Sequence, residues 1–211
     1  MSAESGVPTY RGSSGIWHKY NWEEYACQEA LDKNPKKVLD FHELRRRSVL
    51  ECQPHNGHKF ISDLQKSHEN VTIITQNIDG IHQWAGTENV IELHGSLWRL
   101  RCDDCGIVIE DIGKSFTKKK CNCGNYLRPD IVWFGDILNP QVIQKASNAI
   151  QNCDLFISVG TSGVVWPAAG FPQEAKGNGA YCIEINTERT ELSYLSDEVI
   201  IGKAGEVLTD L

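Results

Sequence analysis

Four of the eight cysteines lie in two closely spaced pairs, which favours a metal site over disulfide bonds. Cys102 and Cys105 form the first pair, and Cys121 and Cys123 form the second. Four thiolates suit a tetrahedral zinc ion, and a closed all-thiolate shell leaves no open position for chemistry. We therefore expect one structural zinc ion, with two redox pairs or unliganded thiols as the alternatives. The other cysteines are interpreted as buried or bystander residues: Cys27, Cys52, Cys153 and Cys182.

A second set of chemically capable residues follows the ends of apolar, β-branched runs. Four such runs occur, at residues 71–74, 155–159, 181–185 and 198–201. They are typical of strands buried on both faces of a parallel sheet, and ligands of such sheets bind beyond the carboxyl ends of the strands. A shorter strand candidate at 90–93 ends at His94. The polar residues expected to converge in one crevice are Gln76, Asn77, Asp79, His94, Thr161, Ser162 and Asn186. Alternatively, each of them only caps a turn.

The segments between the runs complete an α/β pattern with an open, mostly parallel sheet. A helical pattern covers residues 141–151 between two of the runs. Residues 18–66 are polar and have helical spacing, so we interpret them as a helical insertion beside the crevice. Residues 98–130 contain the paired cysteines and form a second, zinc-binding insertion. The main domain then consists of residues 1–17, 67–97 and 131–211.

Composition excludes several classes of function. The chain has 211 residues, 40% of them hydrophobic, and a formal net charge of −7, which argues against a general nucleic-acid binder. No apolar stretch approaches the roughly 20 residues that span a bilayer, and no secretory signal is visible. We therefore expect an intracellular protein, cytoplasmic or mitochondrial, without a membrane or nucleic-acid partner.

Six motifs resemble those of the sirtuins, the NAD-dependent protein-lysine deacylases, and they occur in the family's order along nearly the whole chain. They are SAESGVPTYRG at 2–12, TQNIDGIH at 75–82, ELHG at 92–95, RPDIVWFG at 128–135, GTSGV at 160–164 and AGEVL at 204–208. The resemblance implies a Rossmann-like, doubly wound parallel sheet with a small zinc-ribbon module and a helical insertion. It also implies that NAD and an acyl-lysine protein or peptide bind on either side of the crevice. The acyl oxygen then attacks C1′ of the nicotinamide ribose, nicotinamide leaves, and the acyl group ends on ADP-ribose.

The resemblance assigns roles to individual residues. His94 is the candidate base near the ribose hydroxyls, since the pKa of histidine lies near working pH. Asn77 orients the ribose or a water molecule, and Asp79 holds the nicotinamide amide. The full set of cofactor contacts is Tyr10, Arg11, Trp17, Gln76, Asn77, Ile78, Asp79, Gly160, Thr161, Ser162, Asn186, Thr187 and Ala204. A hydrogen-bonded core histidine is the alternative for His94.

The substrate side has two predicted parts. A strand-like segment, with Val164 opposite, is expected to add the substrate peptide as an extra β-strand: Val132, Trp133, Phe134 and Gly135. Trp133 and Phe134 could equally belong to the core. The branch of the family that removes malonyl, succinyl and glutaryl groups carries Tyr-x-x-Arg, and this chain has His42 and Arg45 at that place. Residues three apart share a helix face, so both can bind one carboxylate, unless this is a solvated basic helix.

The family's nucleotide domain usually begins with a strand followed by Gly-Ala-Gly, and Met1 stands where the next apolar residue is expected. We expect that strand and its glycines upstream of an alternative start. Three other functions stay open at this point: an impaired NAD- or ADP-ribose-binding relative, a protein ADP-ribosyltransferase, and a zinc-stapled interaction module. We expect a monomer.

Overall fold

The computed structural model describes residues 1–9, 15–16 and 19–210 and has an α/β fold. The strands are β1 Ile73–Thr75, β2 Val90–Glu92, β3 Gly95–Arg101, β4 Val108–Glu110, β5 Arg128–Ile131, β6 Leu155–Val159, β7 Tyr181–Asn186 and β8 Glu198–Ile201. The helices are α1 Trp22–Tyr25, α2 Gln28–Lys33, α3 Pro35–Leu50, α4 Asn56–Ser67, α5 Ile81–Trp84, α6 Pro140–Gln151, α7 Phe171–Gly177 and α8 Ala204–Val207. The five strands predicted from apolar runs and the helix at 141–151 are present, with ends shifted by no more than two residues.

The parallel strands form two sheets rather than the single sheet we expected. Strand β1 pairs with β2, and β7 lies between β6 and β8, all in parallel register. Within the described part of the chain no ladder joins β1 to β6. Side chains join the two sheets instead, because Ile73 of β1 and Ile157 of β6 belong to one hydrophobic cluster. The predicted α/β class with parallel strands is confirmed.

Helices cover both faces of the parallel strands. Successive side chains of a strand point to opposite faces. Cys182 of β7 therefore packs in the cluster that holds residues of α6 and α7, whereas Ile183 and Ile185 pack in the cluster that holds residues of α4 and α8. This arrangement buries β7 from both sides and leaves the carboxyl ends of the strands at one edge.

Helix α3 is the longest helix, and one face of it is unusually polar for a buried surface. It begins at Pro35, because the side chain of Asn34 accepts a hydrogen bond from the backbone amide of Lys37 and caps the helix. Arg45 and Arg46 are buried with exposed fractions of 6% and 0%. The alternative of a solvated basic helix is therefore wrong for these two residues, and only Arg47 of the three consecutive arginines fits it.

Strands β3, β4 and β5 form an antiparallel sheet around the paired cysteines. The segment after β5 differs from the prediction, because residues 132–135 are a loop and turn rather than a strand. Asp136 causes the turn: its carboxylate accepts a hydrogen bond from the Trp133 amide, and its amide donates to the Trp133 carbonyl. Among the described helices, none is long and apolar enough to cross a membrane. The domain boundaries stay predictions.

Candidate functional site

His94 lies directly after β2, at the edge where the parallel strands end. Its Nδ1 atom is 2.9 Å from the backbone carbonyl oxygen of Gln76. A carbonyl oxygen only accepts, so we assign the proton to Nδ1, which leaves Nε2 able to take a proton. Burial lowers the pKa of His94, and the bond to Gln76 opposes that effect. The imidazole is therefore neutral, oriented and basic at neutral pH.

The ends of three other strands meet beside His94. The Gln76 side chain, after β1, donates to the Thr161 hydroxyl at 3.3 Å. Asn186, at the end of β7, donates from Nδ2 to the backbone carbonyl of Thr161 at 2.8 Å. The structure thus brings together side chains that lie up to 110 residues apart in the sequence, as the strand-end pattern predicted. Ser162 lies beside them and is exposed.

Asn77 and Asp79 occupy the loop between β1 and α5. Asn77 donates from Nδ2 to the Ser2 hydroxyl at 2.8 Å. Asp79 is 5% exposed, and its carboxylate accepts a hydrogen bond from the Ile81 amide at 3.0 Å. The loop therefore presents an amide and a carboxylate whose positions are set by neighbouring hydrogen bonds.

Sequence reasoning missed Ser2 and Glu4 as individual site residues, although both lie inside the quoted motif at 2–12. Ser2 is buried against Asn77, and the two carboxylate oxygens of Glu4 accept hydrogen bonds from the backbone amides of Ala204 and Gly205, each at 2.9 Å. These bonds connect the N-terminal turn to the start of α8. A serine and a glutamate two residues apart in a loop-like motif were the available signal.

The remaining predicted cofactor contacts lie in different surroundings. Ile78 points into the core, and Ala204 is buried in the cluster that includes α4 and α8. Gly160 has a φ of 58°, which suits glycine, and Thr187 donates its backbone amide to the Asn186 side chain. Tyr10, Arg11 and Trp17 lie outside the described residues.

Residues 132–135, the predicted wall of the substrate site, begin next to His94. The backbone amide of Val132 donates to the His94 carbonyl at 2.9 Å, which fixes the start of the wall. Trp133 is buried with an exposed fraction of 3%, so it belongs to the core as well as to the wall. Phe134 and Val164 are exposed, at 38% and 51%, and Gly135 makes the following turn with a φ of 88°.

Three buried, chemically capable side chains pack together at Trp133 of this wall. The rings of His42 and Trp133 stack with centroids 5.6 Å apart and planes 18° apart. The Arg128 guanidinium lies 3.5 Å from the centre of the Trp133 ring. The His42 ring interacts with the backbone of Tyr25, but neither of its nitrogens nor Nε1 of Trp133 forms a hydrogen bond of normal geometry with a described residue. Buried donors of this kind are usually satisfied, so they indicate a place for an acceptor.

The charges around His42 suit an anion. Burial, with the charges of Arg45 and Arg128, lowers the pKa of His42 to about 3. The imidazole is therefore neutral at pH 7. It lies near the charge of Arg45 and near Arg128, whose guanidinium is itself paired with Asp136 and Asp103. A carboxylate placed here would receive hydrogen bonds and favourable charge interactions together.

The four paired cysteines come together as predicted. Their sulfur atoms all lie within 4.8 Å of one another, with Cys102 to Cys123 at 3.5 Å and Cys105 to Cys121 at 3.4 Å. Each pair is followed by a glycine with a positive φ, 72° at Gly106 and 97° at Gly124. This is the tight turn that lets two sulfurs face one point. The donor set fits one tetrahedral zinc ion with no open position.

Comparison with known proteins adds the family. A protein-family model described as the Sir2 family matches residues 1–167. An NAD-dependent protein deacylase of Aquifex aeolicus is 43% identical over 200 residues, which cover 93% of this chain and 84% of the relative. NAD-dependent protein deacylase 1 of Archaeoglobus fulgidus is 42% identical over 214 residues, which cover 100% of this chain and 87% of the relative.

Solved structures are similar over 99% of the chain. A Sir2 homologue bound to ADP-ribose superposes with a TM-score of 0.92 at 41% identity, covering 85% of that chain. A Sir2 homologue in complex with NAD has a TM-score of 0.89 at 42% identity, covering 83% of that chain. A Sir2 structure with a deacetylated p53 peptide and acetyl-ADP-ribose has a TM-score of 0.84 at 28% identity, covering 87% of that chain.

Proposed function

The chain belongs to the Sir2 family, and we propose that it is an NAD-dependent protein-lysine deacylase whose acyl pocket prefers acyl groups that carry a carboxylate. The observations that carry the acyl preference are the buried ring nitrogens of His42 and Trp133 and the buried positive charge of Arg45 beside His42. An acetyl group has no charge to place among these guanidinium and imidazole groups, whereas a succinyl or malonyl group has one.

On the nucleotide side, His94 is the proposed base. NAD supplies the ribose that receives the acyl group, with release of nicotinamide. His94 Nε2 takes a proton from a ribose hydroxyl, and the bond from Nδ1 to Gln76 keeps the ring in the required orientation. Asn77 orients the ribose or a water molecule. The Asp79 carboxylate accepts from the nicotinamide amide, because it is held at the crevice with one oxygen already engaged by Ile81.

On the substrate side, the acyl-lysine enters along the wall formed by Val132, Trp133, Phe134, Gly135 and Val164. The loop at 132–135 supplies backbone groups to the peptide at its exposed edge, although it is not a strand by itself. At the inner end, Arg45 supplies the charge and His42 a hydrogen-bond donor for the distal carboxylate. Removing such a charge-assisted bond costs about 1.5–3 kcal/mol.

Nicotinamide release with matched peptides tests the proposal. The purified chain is incubated with NAD and one peptide sequence carrying either acetyl-lysine or succinyl-lysine, and free nicotinamide is measured. We expect release that requires the peptide, is faster with succinyl-lysine, and is absent in His94→Ala. Binding of NAD without release would identify an impaired binding relative, and label from NAD on an acceptor protein would identify an ADP-ribosyltransferase.

The acyl preference is tested separately from the activity. Equal kcat/KM for the two peptides would contradict the preference and leave the deacylase assignment intact. Three further properties are also proposals: a monomer in solution, a cytoplasmic or mitochondrial location, and no nucleic-acid partner. Size-exclusion chromatography with light scattering decides the first of these.

A further inference from the structure

We propose that Arg46 is a positioning residue for the nicotinamide side of the site, acting through Trp98 on the loop that carries Asp79. The inference rests on the proposed role of Asp79 and extends it to a residue that none of the six motifs contains. Arg46 follows Arg45 on α3, so its side chain points about 100° around the helix from that of Arg45, and it bonds to Leu97 and Asp111.

Arg46 is completely buried and forms two hydrogen bonds through the edge of its guanidinium group. Its Nε donates to the backbone carbonyl of Leu97 at 2.8 Å, and its Nη1 donates to the Asp111 carboxylate at 2.6 Å. Asp111 is also fully buried and accepts from the Thr117 amide. A buried ion pair of this kind is costly to desolvate, so its net contribution to stability is small, while it holds the groups bonded to it in one arrangement.

The same guanidinium lies against two aromatic rings. It is 4.3 Å from the centre of the Phe116 ring and 5.5 Å from the centre of the Trp98 ring. The planar guanidinium can use its edge for Leu97 and Asp111 and its face for an aromatic ring at once. A lysine ammonium cannot reproduce this combination.

Trp98 in turn contacts the loop at 76–80 through a hydrogen bond and through ring packing. Its Nε1 donates to the backbone carbonyl of Asp79 at 2.6 Å. A Cβ atom on Gly80 would lie only 2.8 Å from the indole, so the loop rests directly on the ring. Next to it, the Leu97 amide donates to the Ile78 carbonyl at 2.9 Å. Residues 78–80 are therefore held by two consecutive residues of β3.

Arg46 and Asp111 hold those two residues from the other side. Arg46 binds the Leu97 carbonyl, and the Asp111 amide donates to the Trp98 carbonyl at 2.9 Å. The ion pair between Arg46 and Asp111 closes this ring of contacts. A change at Arg46 therefore moves Trp98 and, through it, the carbonyl and side chain of Asp79. The expected result is weaker nicotinamide binding with little change in the handling of the peptide.

The experiment uses Arg46→Lys and Trp98→Phe in the full chain, with Arg47→Lys as the matched control. Arg47 is on the same helix but is half exposed and contacts only Glu43 among the described ion pairs. The inhibition constant for nicotinamide, the KM values for NAD and peptide, and the melting temperature are measured for each. Trp98→Phe removes the Nε1 donor and the part of the indole that lies against Gly80, so its effect reports the contact of Trp98 with residues 79 and 80.

We expect both variants to raise the nicotinamide inhibition constant about fivefold, the value of one ordinary hydrogen bond, with the KM for peptide unchanged. The double variant is expected to have the same nicotinamide inhibition constant as the more affected single variant, because both changes act through the same series of contacts. The control leaves every constant unchanged. A lower melting temperature in Arg46→Lys with an unchanged nicotinamide constant would overturn the proposal, as would additive effects.

A physical measurement separates this proposal from the role of Asp79. The indole N–H of Trp98, assigned by its absence in Trp98→Phe, is followed by hydrogen exchange in ¹⁵N-labelled protein. We expect faster exchange in Arg46→Lys than in wild type and in the control. Unchanged nicotinamide inhibition in Asp79→Asn would contradict the proposed role of Asp79. An unchanged exchange rate in Arg46→Lys would overturn the positioning role of Arg46, whatever the result for Asp79.

Discussion

The Nδ1 atom of His94 lies 2.9 Å from the backbone carbonyl oxygen of Gln76, so the histidine that follows β2 is oriented by the residue that follows β1. Pairing of the two strands in parallel register places these residues at the same edge. The ring is half-buried, and desolvation lowers its pKa from the ordinary 6.5. This imidazole therefore stays neutral to a lower pH than a histidine in water does.

The first prediction concerns the pH dependence of turnover. The base must be neutral to accept a proton, and a lowered pKa extends the neutral form to lower pH. We therefore expect the acidic limb of kcat/KM for NAD to have its midpoint below pH 6.5. His94→Ala is expected to lose turnover while its circular dichroism spectrum and zinc content stay normal. Near-normal turnover in His94→Ala would exclude this histidine as the base.

The second prediction concerns acyl selectivity. Arg45→Met removes a buried charge from the inner end of the acyl pocket. Because charge-assisted bonds contribute about 1.5–3 kcal/mol, we expect kcat/KM for succinyl-lysine to fall roughly 10- to 150-fold and that for acetyl-lysine to fall much less. Arg47→Met, on the exposed side of the same helix, serves as the control and is expected to change neither. An equal loss for both peptides would assign Arg45 to structure alone.

The third prediction concerns stability in acid. The rings of His55, His58 and His82 pack together, with centroids 4.1 Å apart for the first two and 4.9 Å apart for the last two. Burial is the main cause that lowers the pKa of His58 to about 2 and of His82 to about 4. The unfolded chain takes up these protons below about pH 6.5, whereas the folded chain does not. The free energy of unfolding therefore decreases as pH falls from 6.5 towards 4.

Each of these histidines lowers the free energy of unfolding by at most about 1.4 kcal/mol per pH unit over this range. Urea unfolding between pH 7 and pH 5 measures the slope. His58→Gln is expected to flatten it, while His68→Gln, at an exposed position, leaves it unchanged. A slope that is the same in wild type and His58→Gln would show that the buried imidazoles do not set the acid stability.

The fourth prediction concerns the metal. We expect one zinc ion per chain, and Cys121→Ser is expected to lose it, because three thiolates leave an incomplete shell. Leu100 and Leu127 are buried beside the cysteines, so loss of the ion lowers the melting temperature as well. Cys153→Ser, away from the cluster, keeps the ion. Zinc content and melting temperature are each measured before and after chelation. A metal-free wild-type chain with an unchanged melting temperature would contradict the structural role.

Most of the site was predictable from the sequence because its signals are local. Cysteine spacing identified the metal ligands, since a tight turn with glycine can be read from adjacent residues. Apolar runs followed by polar residues located the strand ends, and parallel pairing brings such ends to one edge regardless of their distance in sequence. The strand conformation expected at residues 132–135 is absent because Asp136 forms a turn with Trp133, a contact that competes with strand formation and leaves no periodic signal.

What only the tertiary structure decided is the burial of charge and the contacts between distant elements. The run of arginines in α3 is compatible with a solvated face, and only packing against β3 and Phe116 shows that Arg46 is enclosed. The stack of His42 on Trp133 likewise joins a helix to a loop about 90 residues later, so neither local sequence contains it. The sequence by itself determined the fold class, the metal ligands and the polar strand ends, because each depends on short-range spacing. The acyl wall and the support of Asp79 depend on which faces meet, and that is settled by the packing of the whole chain.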